Sequence, residues 1–473
     1  MRVSFKNIDF KRKICGMLIL CVIFLTPLVY VSAAESRARY VFLFIGDGMA
    51  AAHRDAAELY LAGKREYRGE APRAAHLAMN TLPVNGLVRT RLLSGIPDSA
   101  AAATAIATGR NVRNGVISMN PDTGEKYQSI AAIAQRSGMR IGIVSSIFLQ
   151  DATAAAFYGH ATSRGNRYDL GLQLIESGFD FFGGGGFSRP TGRDGNLRNL
   201  YDIAASRGYT IIRGLSVNPS AERVIATHPN TRGGNMPWVI DDSRPPTLAD
   251  FMDFGIRRLY GPDGFFMLVE GGLIDLAAHA NDAATTIHEI LALDEAVARA
   301  LEFKRTRPEY TLIVVMGDHE TGGMTFDATN INSVGFYRRL AMRQGSYAQF
   351  ERRISPSRNA NLERYIRMAR EFFGPFIYDT DAVRHAFRVS MTPRNNRASV
   401  EPNYRRMFAT YDPFTMASIK AADAAVGITW TTHFHTGRDV PISAIGQGAE
   451  LFAGEYGLTE VFGKLLSAMQ LRQ

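Results

Sequence analysis

The sequence predicts an α/β protein built on a central, mostly parallel sheet flanked by helices on both faces. Two observations lead there. Short apolar runs at 40–45, 140–144, 265–269 and 311–316 alternate with helical periodicity at 168–176 and 283–303. Each run is also followed at once by polar residues, and open parallel sheets gather their ligands at the carboxyl ends of their strands. Asp47, Glu270 and the pair Asp318–His319 stand at three such ends.

The N-terminal segment is set apart before the fold is considered. Arg2, Lys6, Lys11, Arg12 and Lys13 precede an apolar run over 14–31, and Ser32, Ala33 and Ala34 supply the small residues that a signal peptidase needs. Residues 1–33 are thus expected to be a signal peptide and 34–473 one domain, exported to the periplasm or beyond the cell. The run is short for a span of about 20 residues, and no later stretch is long and apolar enough, so no transmembrane segment is expected after cleavage. Leu20 rather than a small residue precedes Cys21, which argues against a lipid anchor. Both cysteines, Cys15 and Cys21, fall in this segment. Disulfides therefore cannot stabilise the remainder, whereas a metal bound only by the folded state could.

With 46% hydrophobic and 21% charged residues, the chain is ordinary for a globular protein and is not disordered as a whole. Its formal charge of +9 is unevenly spread: residues 336–408 hold fifteen arginines against six acids. From about 330 to 413 the strand–helix alternation stops, and this stretch reads as an Arg-rich insertion capping the sheet. Such a segment could face an anionic polymer, or its arginines could be solvated and paired locally; no specific nucleic-acid partner is assigned. The glycines at 183–186 lack the spacing of a dinucleotide or phosphate loop and read as a flexible loop.

Several residues carry chemistry when taken together. Ser99 opens an Ala-rich helical run after Pro97–Asp98, the usual place of an N-cap, yet also one where backbone N–H groups favour an anion. Asp275 and His279, four apart, share one face of a helical turn and could share a metal. Asp318 and His319 follow a buried type of strand, where a bare carboxylate is costly and metal ligation is a common remedy. Arg164 follows Asp151 and Thr153 and gains interest only from that company. Two metals about 4 Å apart can activate a nucleophile and stabilise a leaving oxygen. Zinc there takes His and carboxylate ligands, and magnesium takes carboxylate, hydroxyl and water.

The blocks GDGM (46–49), PDSAAAATAIATG (97–109), QDATAAAFYGHATSR (150–164), VEGGLIDLAAHAND (269–282), MGDHETGG (316–323) and HFHTGRDVP (433–441) together resemble the alkaline phosphatase family, in that family's order. The resemblance implies hydrolysis of phosphate monoesters through a phosphoserine on Ser99, with Arg164 gripping the phosphoryl oxygens. It implies one zinc on Asp275, His279 and His435, and a second on Asp47, Asp318, His319 and the Ser99 oxygen. One magnesium would lie on Asp47, Thr153 and Glu270, with Asp151 reaching it through water. A homodimer acting on small phosphate monoesters is the family expectation.

Two departures stand out. Leu276 occupies a position where relatives commonly carry Lys, His or Trp, and the paired cysteines of some relatives are missing. His433 competes with His435 as a ligand, but His435 directly precedes Thr436–Gly437 as the family pattern requires. His160 is expected to pack, and His53, His76, His228, His288 and His385 to be surface or hydrogen-bonding residues. A related phosphodiesterase would usually carry Thr as nucleophile, and a non-catalytic polyanion-binding protein would not need an intact nucleophile.

Overall fold

The computed structural model describes residues 37–70, 76–92, 95–215, 221–326, 332–355 and 361–473. The expected signal peptide lies outside them. In chain order the strands are β1 (Tyr40–Gly46), β2 (Val84–Arg89), β3 (Arg140–Ser145), β4 (Phe181–Gly184), β5 (Tyr209–Arg213), β6 (Arg223–Thr227), β7 (Phe265–Gly271), β8 (Thr311–Gly317), β9 (Glu320–Thr321), β10 (Met324–Phe326), β11 (Ile428–Trp430), β12 (His435–Thr436), β13 (Val440–Gly446) and β14 (Gly454–Gly457). Ten of these form one sheet in the order β14-β2-β13-β8-β1-β7-β3-β4-β6-β5. Only β13 runs antiparallel to its neighbours β2 and β8.

Two-sided burial explains why the central strands read as unbroken apolar runs. Val41, Leu43 and Ile45 of β1 face one core, and Tyr40, Phe42 and Phe44 face the other. The period of two sends neighbouring side chains to opposite faces. Helices Ser99–Thr108, Ile130–Arg136 and Leu458–Met469 cover the first face; Ala51–Tyr67, Leu248–Leu259 and Ala283–Arg305 cover the second.

The strands and helices expected from periodicity form at nearly their expected bounds. Only half of the 183–186 glycine run is the expected loop: Gly183 and Gly184 belong to β4, and Gly185 and Gly186 follow it outside any strand or helix. A side chain would not fit in the strand: a Cβ on Gly184, at φ +100°, would meet the Ser145 carbonyl oxygen at 2.2 Å.

The stretch between β10 and β11 is mostly helical, and these two strands pair antiparallel, so the chain leaves and returns side by side. Its helices build a separate core around Phe350, Tyr365, Phe372, Phe373 and Phe414. The first of them, Ser333–Leu340, docks on Ala51–Tyr67, where a Cβ on Gly63 would lie 1.9 Å from the Ser333 carbonyl oxygen. Among its arginines, Arg343 and Arg397 are buried, while Arg352, Arg353 and Arg384 pair with acids. No helix among the described residues is long and apolar enough to cross a membrane.

Candidate active site

Strand register brings the first carboxylates together. Ile45 lies opposite Glu270 in β7, and Gly46 lies opposite Gly317 in β8. Asp47, Glu270 and Asp318 therefore emerge level with one another at the carboxyl edge of the sheet. Helix Leu273–His279 then carries Asp275 and His279, and the pairing of β12 with β9 sets His435 against Thr321, with the His319 and His435 rings stacked 3.7 Å apart. Gly48, at φ +73°, is needed at the crossing, since a Cβ there would lie 2.9 Å from the Asp275 carboxylate.

Three groups of potential ligand atoms result, each gathered within 4.8 Å: Asp275, His279 and His435; Asp47, Asp318 and His319; and Asp47, Asp151 and Glu270. In the first, His279 Nε2 is 3.1 Å from His435 Nε2 and 3.2 Å from Asp275. In the second, His319 Nε2 lies 3.4 Å from Asp47, 3.5 Å from Asp318 and 3.3 Å from Ser99 Oγ. In the third, the Thr153 hydroxyl is 3.4 Å from the second oxygen of Asp47. The Asp151 carboxylate, expected to reach a cation here through water, lies at this third group.

The donors suit cations. Asp47 Oδ1, Glu270 Oε1 and Asp318 Oδ2 are buried without a hydrogen-bond donor among the described residues, which is costly for bare carboxylates. Burial and then the neighbouring carboxylates push Asp47 well above the usual carboxylate range. Burial likewise lifts Glu270 to about 8, with Asp151 adding to it, and Asp318 to about 7. Each imidazole is also oriented from behind. His279 Nδ1 faces the His433 carbonyl at 2.5 Å, His435 Nδ1 faces the Pro97 carbonyl at 2.9 Å, and His319 Nδ1 faces the Thr321 hydroxyl at 3.3 Å. That arrangement leaves every Nε2 turned to the site, as metal-binding histidines require. Burial lowers His319 and His435; on His279 the Asp275 carboxylate outweighs burial and lifts it to about 9.

Ser99 is not the N-cap. Asp98 takes that role, accepting from the Ala101 amide at 3.0 Å, so the Ser99 hydroxyl is released toward His319 at the first residue of its helix. Arg164 is not simply solvated. Its guanidinium reaches Asp98 and Asp151 at 3.2 Å each, and these carboxylates outweigh burial to hold it charged. Leu276 packs against the second core and adds no polar atom. Four contributors had no signal of their own in the sequence: Asp98, Thr321 donating to Asp275 at 2.6 Å, Ser145 donating to Glu270 at 2.7 Å, and Gly48 N–H donating to Asp318 at 3.1 Å. Asp98 alone could have been found, from its place beside Ser99.

His433 turns away from the groups, with Nδ1 2.9 Å from the His279 carbonyl and Nε2 3.0 Å from the Met407 carbonyl. His160 bonds Tyr127 rather than only packing. His53 is fully buried and accepts from the Ala50 amide, and His228 accepts from that of Asn230.

Known proteins resemble this chain over most of its length. The family model described as alkaline phosphatase matches residues 38–177 and 231–471, a range that includes the Arg-rich stretch and omits β4, β5 and β6. Alkaline phosphatase 4 of Bacillus subtilis is 27% identical over 433 residues, covering 89% of this chain and 86% of its own. The cold-active alkaline phosphatase of a Shewanella species superposes with a TM-score of 0.73 at 26% identity, over 91% of this chain and 99% of the other. The alkaline phosphatase of Thermus thermophilus does so with a TM-score of 0.76 at 25% identity, over 95% and 96%. With the family model matched over most of its length, the chain belongs to the alkaline phosphatase family.

Proposed function

We propose that this chain hydrolyses phosphate monoesters to an alcohol and inorganic phosphate through a phosphoserine formed on Ser99. One observation carries the reading: the Ser99 hydroxyl lies 3.3 Å from His319, at a helix start, beside a guanidinium held by Asp98 and Asp151. The reading assigns one zinc to Asp275, His279 and His435, a second to Asp47, Asp318, His319 and the Ser99 oxygen, and a magnesium to Asp47, Thr153 and Glu270 with Asp151 alongside. When bound, such cations supply the Lewis-acid charge that favours an ionised hydroxyl and offsets charge on a leaving oxygen.

The chain's own groups do the rest. Arg164 donates paired N–H groups to two non-bridging phosphoryl oxygens, which fixes the phosphorus in front of Ser99. The Ser99 hydroxyl gives its proton to solvent as its oxygen attacks phosphorus, the bond to the leaving alcohol oxygen breaks, and that oxygen takes a proton from water. Water then attacks the phosphoserine, releasing phosphate and restoring the serine hydroxyl. Amides at the start of helix Ser99–Thr108 favour the phosphoryl charge throughout.

The test is Ser99→Ala. Acid quenching of the parent with labelled phosphate monoester should trap label on Ser99, and the variant should trap none while keeping its metal. Full p-nitrophenyl phosphate turnover by the variant would end the assignment. Export through the 1–33 segment and assembly as a homodimer belong to the same reading, supported by the charge and apolar pattern of that segment and by the family resemblance.

A further inference from the structure

Behind the metal-type ligands, on the side of the Arg-rich stretch, lies a cavity of about 320 Å³. Its walls come from three parts of the chain. Asn281 follows His279 by two residues, Trp430 and His433 precede His435, and Arg406 and Met407 close the Arg-rich stretch. Helix Pro413–Ala424 adds Lys420. The size falls at the lower end of small-molecule sites, which run from about 300 to 1,000 Å³.

The lining has a definite chemical character. No carboxylate is among it. Arg406 and Lys420 are exposed cations, and neither pairs with an acid within 4.0 Å among the described residues. Trp430, Met407 and Ile428 supply an apolar wall. Trp430 is itself fixed, its Nε1 donating to the buried Asp423 at 2.9 Å and its ring lying over Gly322.

The cavity is also joined to the active site by one residue. His433 lines it and binds His279 twice, its carbonyl accepting from His279 Nδ1 at 2.5 Å and its Nδ1 lying 2.9 Å from the His279 carbonyl. A molecule resting on His433 would bear on the orientation of His279.

We propose that this cavity binds a small organic anion with an aromatic body, the anionic group held by Arg406 and Lys420 and the ring against Trp430. Such a group could be the leaving-group half of a phosphate monoester or a separate effector. The proposal's effect on turnover rests on the phosphatase reading above; the binding itself does not.

Two tryptophans in the chain make a direct assay available. In Trp238→Phe, Trp430 is the sole indole reporter, and naphthalene-2-sulfonate is a probe with the required chemistry that no phosphatase can hydrolyse. The proposal predicts a saturable change in Trp430 emission. Replacing both cations, Arg406→Gln with Lys420→Gln, should weaken binding about tenfold, the product of two exposed ion pairs each worth a factor of about three. Both replacements are at the surface and leave the catalytic groups untouched. No saturable change up to about 10 mM, beyond even a millimolar site, would overturn the proposal, as would an affinity that the double variant leaves unchanged. Competitive inhibition of p-nitrophenyl phosphate turnover by the probe would identify the leaving-group source, and a change in kcat alone would identify an effector. A parent that shows the fluorescence titration but no turnover would contradict the phosphatase reading and leave the cavity assignment standing.

Discussion

Arg343 is the most exacting place to test how the helical stretch is joined to the rest of the fold. Its side chain is 1% exposed, with Nη2 2.7 Å from Asp282 and 3.3 Å from Asp423, themselves 0% and 1% exposed. Asp282 starts helix Ala283–Arg305 and accepts from the Tyr347 amide; Asp423 accepts from Trp430 and from the Ala283 amide. Arg343→Met would keep most of the volume and strand two buried carboxylates, a change that costs about 3–5 kcal/mol. Nε and Nη1 of Arg343 have no hydrogen-bond partner among the described residues, so the lost contacts are fewer than a fully bonded guanidinium would give, and the lower end of that range is expected. Burial lifts Asp423 to about 7 even with Arg343 lowering it, so without the arginine it would be neutral over a wider range. The loss should consequently be smaller at pH 6 than at pH 8. Adding Asp423→Asn removes one stranded charge and should recover about 1–2 kcal/mol, a coupling typical of residues in contact. Urea denaturation at fixed metal concentration measures the parent and both variants. A cost below about 1 kcal/mol for Arg343→Met, well under the range for breaking a buried pair, would refute the reasoning.

Glu289 is buried with one amide donor from Val239, and burial lifts its pKa to about 8. Between about 4.5 and 8 the folded chain keeps a proton that the unfolded chain has released, so this group's contribution to stability falls as pH rises through that window. Glu289→Gln should therefore gain on the parent as pH rises from 5 to 9 in parallel denaturation curves, and parallel lines would contradict the assignment. Asp98→Asn should keep the helix cap yet loosen Arg164, raising KM for a monoester about fivefold, the upper range for a part-exposed ion pair. An unchanged KM would show that Asp151 alone positions the guanidinium.

Much of this fold could be read from the chain before any coordinates, and the reason is burial on both faces. Strands β1, β7 and β8 show as apolar runs because neither face of the sheet meets water, and their ends show as Asp47, Glu270 and Asp318 because charge is tolerated only where the strands stop. What stayed hidden depends on contacts between distant segments. Asp98 and Ser99 are both good cap residues, and only the geometry of the turn gives the cap to Asp98. Thr321, Ser145 and His433 matter through side chains or carbonyls far away in sequence, so even where Thr321 and His433 fall inside the family blocks no local pattern gives their contacts. Gly183 and Gly184 looked like a loop because glycine usually signals one; they sit in β4 because the Ser145 backbone passes too close for a Cβ.

In the proposed function, residues scattered from Asp47 to His435 hold three cations around one serine hydroxyl. Metal analysis of the purified protein, paired with monoester and diester turnover on the same sample, tests it most directly. The account predicts two zinc ions and one magnesium ion per chain, with monoester hydrolysis rising and falling with zinc content and diester hydrolysis far slower. Full monoester turnover by a chain free of zinc and other transition metals would contradict it.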